Sequence, residues 1–218
     1  MNTGKSAPCH TTILHLAFTE QIDIVCVQEP STSPGTKTQN HLGYDCYAPV
    51  DSWDSTEAEQ REAERPRVMT YVRKGAGLKT QQRRPTDSRD MLWTDVNGYA
   101  ILNAYRQPLH PHILEYVTHL SPPPNCLVGG DFNAWHDMFE LGIQPAHQAT
   151  EVARWASDSG MDFIGVPGEP TQRAGHVLDL TFSNIPFAHT AVHPRLHSGS
   201  DHETQITTIL GRGHTPLE

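Results

Sequence analysis

The pattern of apolar and polar positions along the chain predicts more strands than helices. A near-continuous β-branched run at 22–29 predicts a buried strand that ends at Glu29, because Pro30 forces a stop. Similar or alternating runs predict further strands at 44–49, 68–73, 92–96, 99–105, 161–166, 177–182, 188–196 and 203–210. Asn97-Gly98 lies between two of these runs and predicts a type I′ hairpin.

Helical spacing occurs in three stretches, 10–20, 112–120 and 150–159, and Gly160 is placed to end the last of them. The highly charged stretch 51–65 predicts a solvated loop or a short surface helix. We find no repeat, heptad or low-complexity linker. The 218 residues therefore predict one domain over 1–211, followed by a frayed tail at 212–218.

One further stretch, 126–136, combines a strand pattern with candidate chemistry. A short apolar run turns at Gly129-Gly130 and is followed at once by Asp131 and Asn133. In layered α/β folds, ligands bind at such strand ends. In extended backbone the two side chains would point to the same side, where they suit a phosphate group. A turn initiated by Asp131 explains the same residues equally well.

Composition and charge limit the classes of function. Hydrophobic residues make up 36% and charged residues 19%, which is typical of a globular chain. The formal net charge of −9 argues against affinity based on broad phosphate neutralisation, so a nucleic-acid contact needs a local basic patch or a metal. The most basic stretch, 73–84, predicts either a solvated turn, the simpler interpretation, or a contact to a polyanion backbone.

Targeting and cysteine patterns indicate an intracellular protein. No apolar stretch is long enough for a transmembrane helix, and residues 1–12 have no apolar core of a signal peptide, so we expect no membrane partner. The four cysteines are far apart and form no CxxC pair, which argues against a structural zinc site.

Polar residues follow or interrupt five of the predicted strands, and together they suggest a hydrolytic site. The residues concerned are Glu29, Tyr105, Asp131 with Asn133, Asp179, and Asp201 with His202. A carboxylate within an apolar run, as at Asp179, must be paired or hydrogen-bonded. Oxygen ligands without thiolates suit Mg²⁺ or Mn²⁺, and carboxylates with a histidine beside such a metal suit phosphate-ester hydrolysis.

The order of these motifs resembles the endonuclease/exonuclease/phosphatase superfamily, which includes DNase I. The matching segments are 28–30 (Gln-Glu-Pro), 103–108, 130–133 (Gly-Asp-Phe-Asn), 178–180 and 200–202 (Ser-Asp-His), over roughly residues 2–210. Within this superfamily, these sequence motifs are most similar to those of the endonuclease domains of LINE-type (non-LTR) retrotransposons. The resemblance implies a four-layer α/β sandwich, in which two mixed β-sheets pack face to face with helices outside.

The resemblance also implies a role for each matching residue. Glu29, Asn2 and Asp201 would hold the metal, Mg²⁺ or else Mn²⁺. His202 would face the scissile phosphate as general base or donor, and Asp179 would orient it. Asp131 would position or deprotonate the attacking water, while Asn133 and Tyr105 would hold phosphate oxygens.

The main departure from the family lies at the N-terminus. Family members have a full apolar strand before the asparagine, whereas here Asn2 follows Met1 directly. We therefore expect a truncated first strand, with Asn2 disordered and metal binding weakened, as in a remnant gene product.

The resemblance implies a metal-dependent, nuclear DNA endonuclease, derived from a non-LTR retrotransposon, that nicks one strand and requires no obligate protein partner. Two alternatives stay open: an inactive or degenerate remnant, and a phosphoesterase acting on small molecules or lipids.

Overall fold

The computed structural model describes residues 1–84, 88–108 and 110–209. The predicted tail at 212–218 lies outside these residues. The α-helices are α1 (Ala7–Thr19), α2 (Ala58–Glu64), α3 (His112–Thr118) and α4 (Ala149–Ser159), and a 3₁₀ helix spans Pro194–Leu196. The strands are β1 (Ile24–Gln28), β2 (Thr32–Ser33), β3 (Lys37–Thr38), β4 (Tyr44–Tyr47), β5 (Val68–Arg73), β6 (Thr80–Arg83), β7 (Met91–Val96), β8 (Tyr99–Tyr105), β9 (Cys126–Asp131), β10 (Asp162–Phe163), β11 (Asp179–Ser183), β12 (His189–Val192) and β13 (Gln205–Thr208).

Local sequence signals explain where several elements begin and end. The first helix begins three residues earlier than predicted, because the Ser6 hydroxyl accepts a hydrogen bond from the Cys9 N–H at 3.3 Å. The predicted hairpin between β7 and β8 is confirmed, since Asn97 and Gly98 both have positive φ (50° and 83°). Gly160 adopts a left-handed conformation and ends α4, as predicted.

The apolar pattern missed strand β6, which lies inside the basic stretch 73–84. This strand is an edge strand with polar residues, so burial leaves no periodic signal in the sequence. Its Arg83 pairs with Asp95 at 2.7 Å and lies over the Trp93 ring, and Arg84 pairs with Asp51 at 2.5 Å. The simpler interpretation, solvated basic residues, therefore fits better than a polyanion contact, because acidic neighbours already offset these charges.

Two predicted strands are shorter in the structure than their apolar runs. The run at 161–166 contributes only the two-residue strand β10. The run at 188–196 leaves the sheet after β12 and turns into the 3₁₀ helix at Pro194, because proline fixes φ and lacks an N–H for the ladder.

One face of the core is a six-stranded mixed sheet in the order β10-β11-β9-β8-β7-β6. Strands β8 and β9 run parallel, and the other neighbours run antiparallel. Helices α3 and α4 cover its outer face through residues such as Leu114 and Trp155, which pack in one cluster with Leu102 and Val128.

The second β-layer is divided in two. Strands β1, β5 and β4 form an antiparallel three-stranded sheet, whose outer face packs against α1 through Leu14, Ala17 and Val27. Strands β12 and β13 form a separate antiparallel pair. Val72 and Leu127 meet in a cluster between the layers. The four-layer α/β sandwich is thus confirmed, with one correction: the described residues do not join the second layer into one mixed sheet, because Met1 to Thr3 supply only a short ladder beside β1.

A buried amide pair connects the two β-layers. The Gln28 side chain at the end of β1 donates to Asn103 Oδ1 in β8 at 2.6 Å, and Asn103 in turn donates to the carbonyl oxygens of Val27 and Met69. Both side chains are buried. The link aligns the end of β1 with the ends of β8 and β9, where the predicted site residues converge. In the part of the chain that the structure describes, no helix is long and apolar enough to cross a membrane.

Candidate active site at the strand ends

Asp131 ends β9 and is the most central residue of the site. Its carboxylate is buried and uses its two oxygens differently. Oδ1 accepts a hydrogen bond from the Asn133 N–H at 3.1 Å, and Oδ2 accepts one from the Asn2 side chain at 2.9 Å. The turn interpretation and the site interpretation are therefore compatible, since one oxygen holds the turn while the other faces the site.

Gly130, the residue before Asp131, is required by close packing between β8 and β9. It has a φ of 148°, and a Cβ atom there would lie 1.8 Å from the Ala104 carbonyl oxygen. Only glycine fits without moving one strand away from the other. The second glycine of the motif thus keeps Asp131 in register with Tyr105, its parallel partner at the end of β8.

Asp179 begins β11 directly opposite Asp131 in the antiparallel ladder, so the two carboxylates lie side by side. Asp179 Oδ2 lies 2.8 Å from His202 Nδ1, and both residues are buried. The Thr171 hydroxyl accepts from the backbone N–H groups of Leu178 and Asp179, both at 2.9 Å, which fixes the start of the strand. The predicted pairing of Asp179 with His202 is present.

His202 lies farther from Asp131 than from Asp179. His202 Nε2 and Asp131 Oδ2 are 3.9 Å apart, which is beyond hydrogen-bonding distance. The ring is thus held through one nitrogen and presents the other toward a carboxylate without bonding to it. An oxygen atom of a ligand or water has polar partners on both sides at this point.

The surroundings of Asp131 and His202 shift the pKa values of both groups away from their usual ranges. Burial, and next the charge of Asp179, raise the pKa of Asp131 to about 7, although His202 and the hydrogen bonds from Asn2 and Asn133 act against this rise. Burial lowers the pKa of His202, but the hydrogen bond and charge of Asp179, with Asp131 and Asp201, outweigh burial and raise it to about 9. At neutral pH the imidazole is therefore protonated, while Asp131 is close to its titration point.

Asn2 is ordered, and the expectation of a disordered residue is wrong. The residue is 3% exposed, and it forms a parallel bridge with Gln28. The Ser200 hydroxyl donates to the backbone carbonyl of Asn2 at 2.7 Å and accepts from the backbone N–H of His202 at 3.2 Å. A short ladder and one buried serine thus suffice to hold Asn2 beside Asp131.

Glu29 lies at the end of β1 in a left-handed conformation, with a φ of 45°. The Thr3 hydroxyl and the Lys5 N–H both donate to its carbonyl oxygen at 2.8 Å, and these contacts hold the turn. Burial, and then the nearby carboxylates of Glu29 and Asp131, raise the pKa of Tyr105. The Tyr105 hydroxyl is therefore neutral and available as a donor between Glu29 and Asp131.

Asn133 and Asp201 lie at the edge of the site. Asn133 has a φ of 46°, so its backbone is not extended, and the condition for a same-side orientation with Asp131 is not met. Its side chain donates to the Arg106 carbonyl at 3.0 Å, which leaves its second amide hydrogen free of this bond. Asp201 is exposed, and its carboxylate lies 3.4 Å from the Ser200 hydroxyl.

Sequence reasoning missed Arg106 and Ser200 as members of the site. Arg106 is 5% exposed, and its guanidinium donates to the Asn133 carbonyl at 3.0 Å. The sequence signal that could have identified them is their position next to predicted site residues, since Arg106 follows Tyr105 and Ser200 precedes Asp201. Neither residue type alone distinguishes such a role from an ordinary loop residue.

The oxygen donors of the site fit a hard divalent cation. Asp131, Asp179 and His202 can each offer a ligand atom within 4.8 Å of one another, and Asp179 Oδ1 is buried with no hydrogen-bond partner among the described residues. Of the predicted ligands, Asn2 lies beside this group through its hydrogen bond to Asp131, whereas Glu29 and Asp201 are not members of it. Because the His202 ring is protonated at neutral pH and its Nδ1 is held by Asp179, the Asn2 side of Asp131 suits a cation better than the imidazole side does.

Comparisons with known proteins matched one family model and several solved structures. A family model described as an endonuclease-reverse transcriptase matches residues 99–206, which include Tyr105, Asp131, Asp179 and His202. No curated protein matches the chain significantly in sequence.

Several solved structures share the fold. The endonuclease domain of TRAS1, a telomere-specific non-LTR retrotransposon, is similar with a TM-score of 0.74 at 16% identity, and the match covers 97% of each chain. An AP endonuclease from Archaeoglobus fulgidus is similar with a TM-score of 0.59 at 14% identity, over 92% of this chain and 93% of that chain. An endonuclease/exonuclease/phosphatase family protein from Leptotrichia buccalis C-1013-b has a TM-score of 0.53 at 12% identity, over 93% of each chain.

Proposed function

Because the chain belongs to the endonuclease/exonuclease/phosphatase superfamily, we propose that it is a metal-dependent DNA endonuclease that nicks one strand. The observation that carries the proposal is the buried cluster of Asp131, Asp179 and His202, in which the imidazole is held at 2.8 Å on one side and faces a carboxylate across 3.9 Å on the other. Such a cluster suits attack of water on a phosphodiester.

His202 acts as the donor to the phosphate in this mechanism. Asp179 holds its Nδ1, so Nε2 carries its proton toward the open side. The raised pKa of His202, about 9, keeps the ring protonated at neutral pH. It therefore stabilises negative charge that develops on a phosphate oxygen, and the donor role is favoured over the general-base role.

Asp131 positions the attacking water and takes up its proton. Asn2 and the Asn133 N–H fix the direction of its carboxylate. A pKa of about 7 suits a group that must accept a proton near neutral pH and release it again. The surrounding residues thus make His202 the proton donor and Asp131 the proton acceptor.

Glu29, Asn2 and Asp201 would hold the metal, Mg²⁺ or else Mn²⁺. When bound, such an ion supplies Lewis-acid stabilisation of the charge on the phosphate and the leaving oxygen. The Asn2 side chain would contribute through its carbonyl oxygen, which now accepts from the Gly4 N–H at 2.8 Å. The ion would also offset the formal net charge of −9 at the point where a polyanion binds.

Tyr105 and Asn133 would hold the remaining phosphate oxygens. The Tyr105 hydroxyl is neutral because burial and nearby carboxylates raise its pKa, so it acts as a donor. The Asn133 side-chain amide has two hydrogens, and only one of them is used in the hydrogen bond to the Arg106 carbonyl. Together they orient the phosphate so that the attacking water and the leaving oxygen lie in line.

DNA as the substrate is supported by the similarity to TRAS1, whose structure is that of a retrotransposon endonuclease domain. We propose that this chain derives from a non-LTR retrotransposon and acts in the nucleus. Its placement of Asn2 and the pairing of Asp179 with His202 support an active domain rather than a degenerate remnant.

The test is nicking of supercoiled plasmid DNA with Mg²⁺, with EDTA, and by Glu29→Gln. We expect Mg²⁺-dependent open-circular product with a 3′ hydroxyl that a DNA polymerase extends, and Glu29→Gln should slow nicking by at least about 100-fold. Glu151→Gln is the matched control, because Glu151 is an exposed carboxylate on α4. Activity in EDTA, or an equal loss in both variants, would contradict the proposal.

A further inference from the structure

A group of cationic side chains lies beside the site, and the mechanism proposed above assigns it no role. Lys5 and Arg65 both pair with the Glu62 carboxylate, at 2.9 and 2.8 Å. Arg89 donates to the Glu62 backbone carbonyl at 2.7 Å, and its own carbonyl accepts from the Arg67 N–H at 2.8 Å. We call four of these residues the basic cluster: Lys5, Arg65, Arg67 and Arg89.

The backbone places the basic cluster at the same strand ends as the site. In the six-stranded sheet, Asp131, Tyr105 and Asp90 follow one another across β9, β8 and the residue before β7, and the Tyr105 N–H donates to the Asp90 carbonyl. Neighbouring strands lie about 4.8 Å apart, so Asp90 is about 10 Å from Asp131. In the other layer, the Glu29 N–H donates to the Arg67 carbonyl. The cluster therefore lies on the side of Tyr105 away from Asp131.

Cations outnumber carboxylates in this part of the molecule. Arg67 binds Asp90 Oδ1 at 3.2 Å, and His112 Nε2 lies 2.7 Å from the other oxygen of Asp90. Burial raises the pKa of Glu62, but the hydrogen bonds from its two cationic partners outweigh burial and lower the pKa to about 2. Among the described residues, four cationic side chains of the cluster thus share two carboxylates, in a chain whose formal net charge is −9.

Arg89 is the member of the basic cluster that has no ion-pair partner among the described residues. It is half-buried, and its guanidinium donates to an uncharged carbonyl. Burial, and next the charge of Arg67, lower the pKa of Arg89, and Arg65 acts in the same direction, while Asp90 and Glu62 oppose the change. The guanidinium stays charged even so. An anion bound at Arg89 would offset the repulsion between these like charges.

The basic stretch 73–84 provides a contrast, because its last two arginines are paired one to one. Arg83 has Asp95 at 2.7 Å, and Arg84 has Asp51 at 2.5 Å. No further anion is needed there. The basic cluster differs because one guanidinium is left over beside the site. An acidic chain that binds a polyanion needs such a local excess of positive charge.

We propose that the basic cluster binds a backbone phosphate of the DNA strand about three nucleotides from the scissile phosphate, since one strand advances about 3.4 Å per nucleotide along the helix axis. Arg89 contacts this phosphate, and the buried Arg65 and Arg67 strengthen the contact through their charge. The inference rests on the proposed function, because it takes DNA as the ligand. Such a contact holds the strand in position and carries no sequence information.

The test is binding of a short fluorescent DNA duplex in EDTA, where metal-dependent nicking does not occur, over a series of salt concentrations. Arg89→Gln should weaken binding by about fivefold to tenfold at low salt. It should also reduce the slope of log affinity against log salt concentration by about 1, because one phosphate contact is lost. Arg89→Lys keeps a positive charge that can bind phosphate and should bind DNA within about threefold of the wild type.

Arg154→Gln is the matched control, because Arg154 is exposed on α4 and its loss changes the net charge by the same amount. Its affinity should stay within about twofold of the wild type, with an unchanged slope. Lys5→Gln is a second variant of the cluster and decides the matter if Arg89→Gln fails to fold. The Lys5 side chain is 47% exposed, and its loss should weaken binding by about threefold.

Plasmid nicking with Mg²⁺ separates this inference from the proposed function. Arg89→Gln should raise KM by a factor similar to its loss of affinity, with kcat nearly unchanged, because the contact is equally strong before and during the reaction. A wild-type protein that binds DNA through Arg89 but does not nick would overturn the nuclease and leave this inference standing. Nicking by Arg89→Gln with the wild-type KM would do the reverse.

Three results of the binding experiment would overturn the inference. The first is an equal affinity and slope for Arg89→Gln and Arg154→Gln. The second is a loss of affinity in Arg89→Lys as large as that in Arg89→Gln, which would show that charge is not responsible. The third is a wild-type protein that binds no DNA at low salt.

Discussion

The two β-layers of the molecule differ in completeness. The six-stranded sheet pairs its strands continuously from β10 to β6 and provides Tyr105, Asp131 and Asp179. The other layer is divided into the three-stranded sheet β1-β5-β4 and the separate pair β12-β13, yet Glu29, Asn2 and His202 belong to these two parts or to the segments that adjoin them.

This difference shows that the site does not depend on a complete second sheet. Specific side-chain contacts replace the missing strand pairing where the site needs it: Gln28 with Asn103 across the layers, and Ser200 with Asn2 and His202. The elements of the divided layer are therefore positioned by a few buried hydrogen bonds. Removing those bonds should affect the molecule more than removing polar groups buried without partners.

The largest effect on stability is expected at the link between the layers. Asn103→Leu removes the acceptor of the buried Gln28 side-chain N–H and the additional donor to the Val27 and Met69 carbonyls, which keep only their ladder partners. We expect a loss of about 4 kcal/mol in the free energy of unfolding, measured by urea denaturation.

The matched control is Thr94→Val, also fully buried, because the Thr94 hydroxyl has no partner among the described residues. It should change stability by less than about 1 kcal/mol. Equal losses in the two variants would mean that burial itself, and not the link, accounts for the effect.

The dependence of stability on pH should be next in size. The pKa of His202 is raised from 6.5 to about 9, so its favourable contribution is complete below pH 6.5 and is lost as the pH rises through 9. The free energy lost by His202→Ala should therefore be greater at pH 6 than at pH 9.5, by on the order of 3 kcal/mol. Urea denaturation in EDTA measures this difference.

His189→Ala provides the control for that series, since His189 is exposed on β12. Its effect should be small at both pH values. A loss for His202→Ala that is constant across the range would show that the charge of the imidazole does not contribute to folding.

A smaller effect is expected where Ser200 holds Asn2 and His202. Ser200→Ala removes a donor to the Asn2 carbonyl and an acceptor for the His202 N–H. We expect a loss of about 1–2 kcal/mol in stability and a roughly tenfold slower nicking rate. Ser198→Ala is the natural comparison, because the Ser198 hydroxyl is buried without a partner among the described residues. If both variants behave alike, Ser200 has no positioning role.

The sequence predicted the layers and the strand ends well, because burial leaves an apolar pattern and glycine and asparagine mark turns. It failed where that pattern is absent or ambiguous. Strand β6 is a polar edge strand, and Asn133 turns out of the extended conformation that its spacing suggested. The order of Asn2 was not predictable either, since it depends on Ser200 and Asp131, which are distant in the sequence.

The most direct test of the account is a double-mutant cycle on plasmid nicking with Asp179→Asn, His202→Ala and the double variant. The account predicts that His202→Ala slows nicking by about 1,000-fold and that Asp179→Asn adds little to this loss, because Asp179 acts through the imidazole that it holds at 2.8 Å. Losses that multiply in the double variant, or wild-type nicking by His202→Ala, would contradict it.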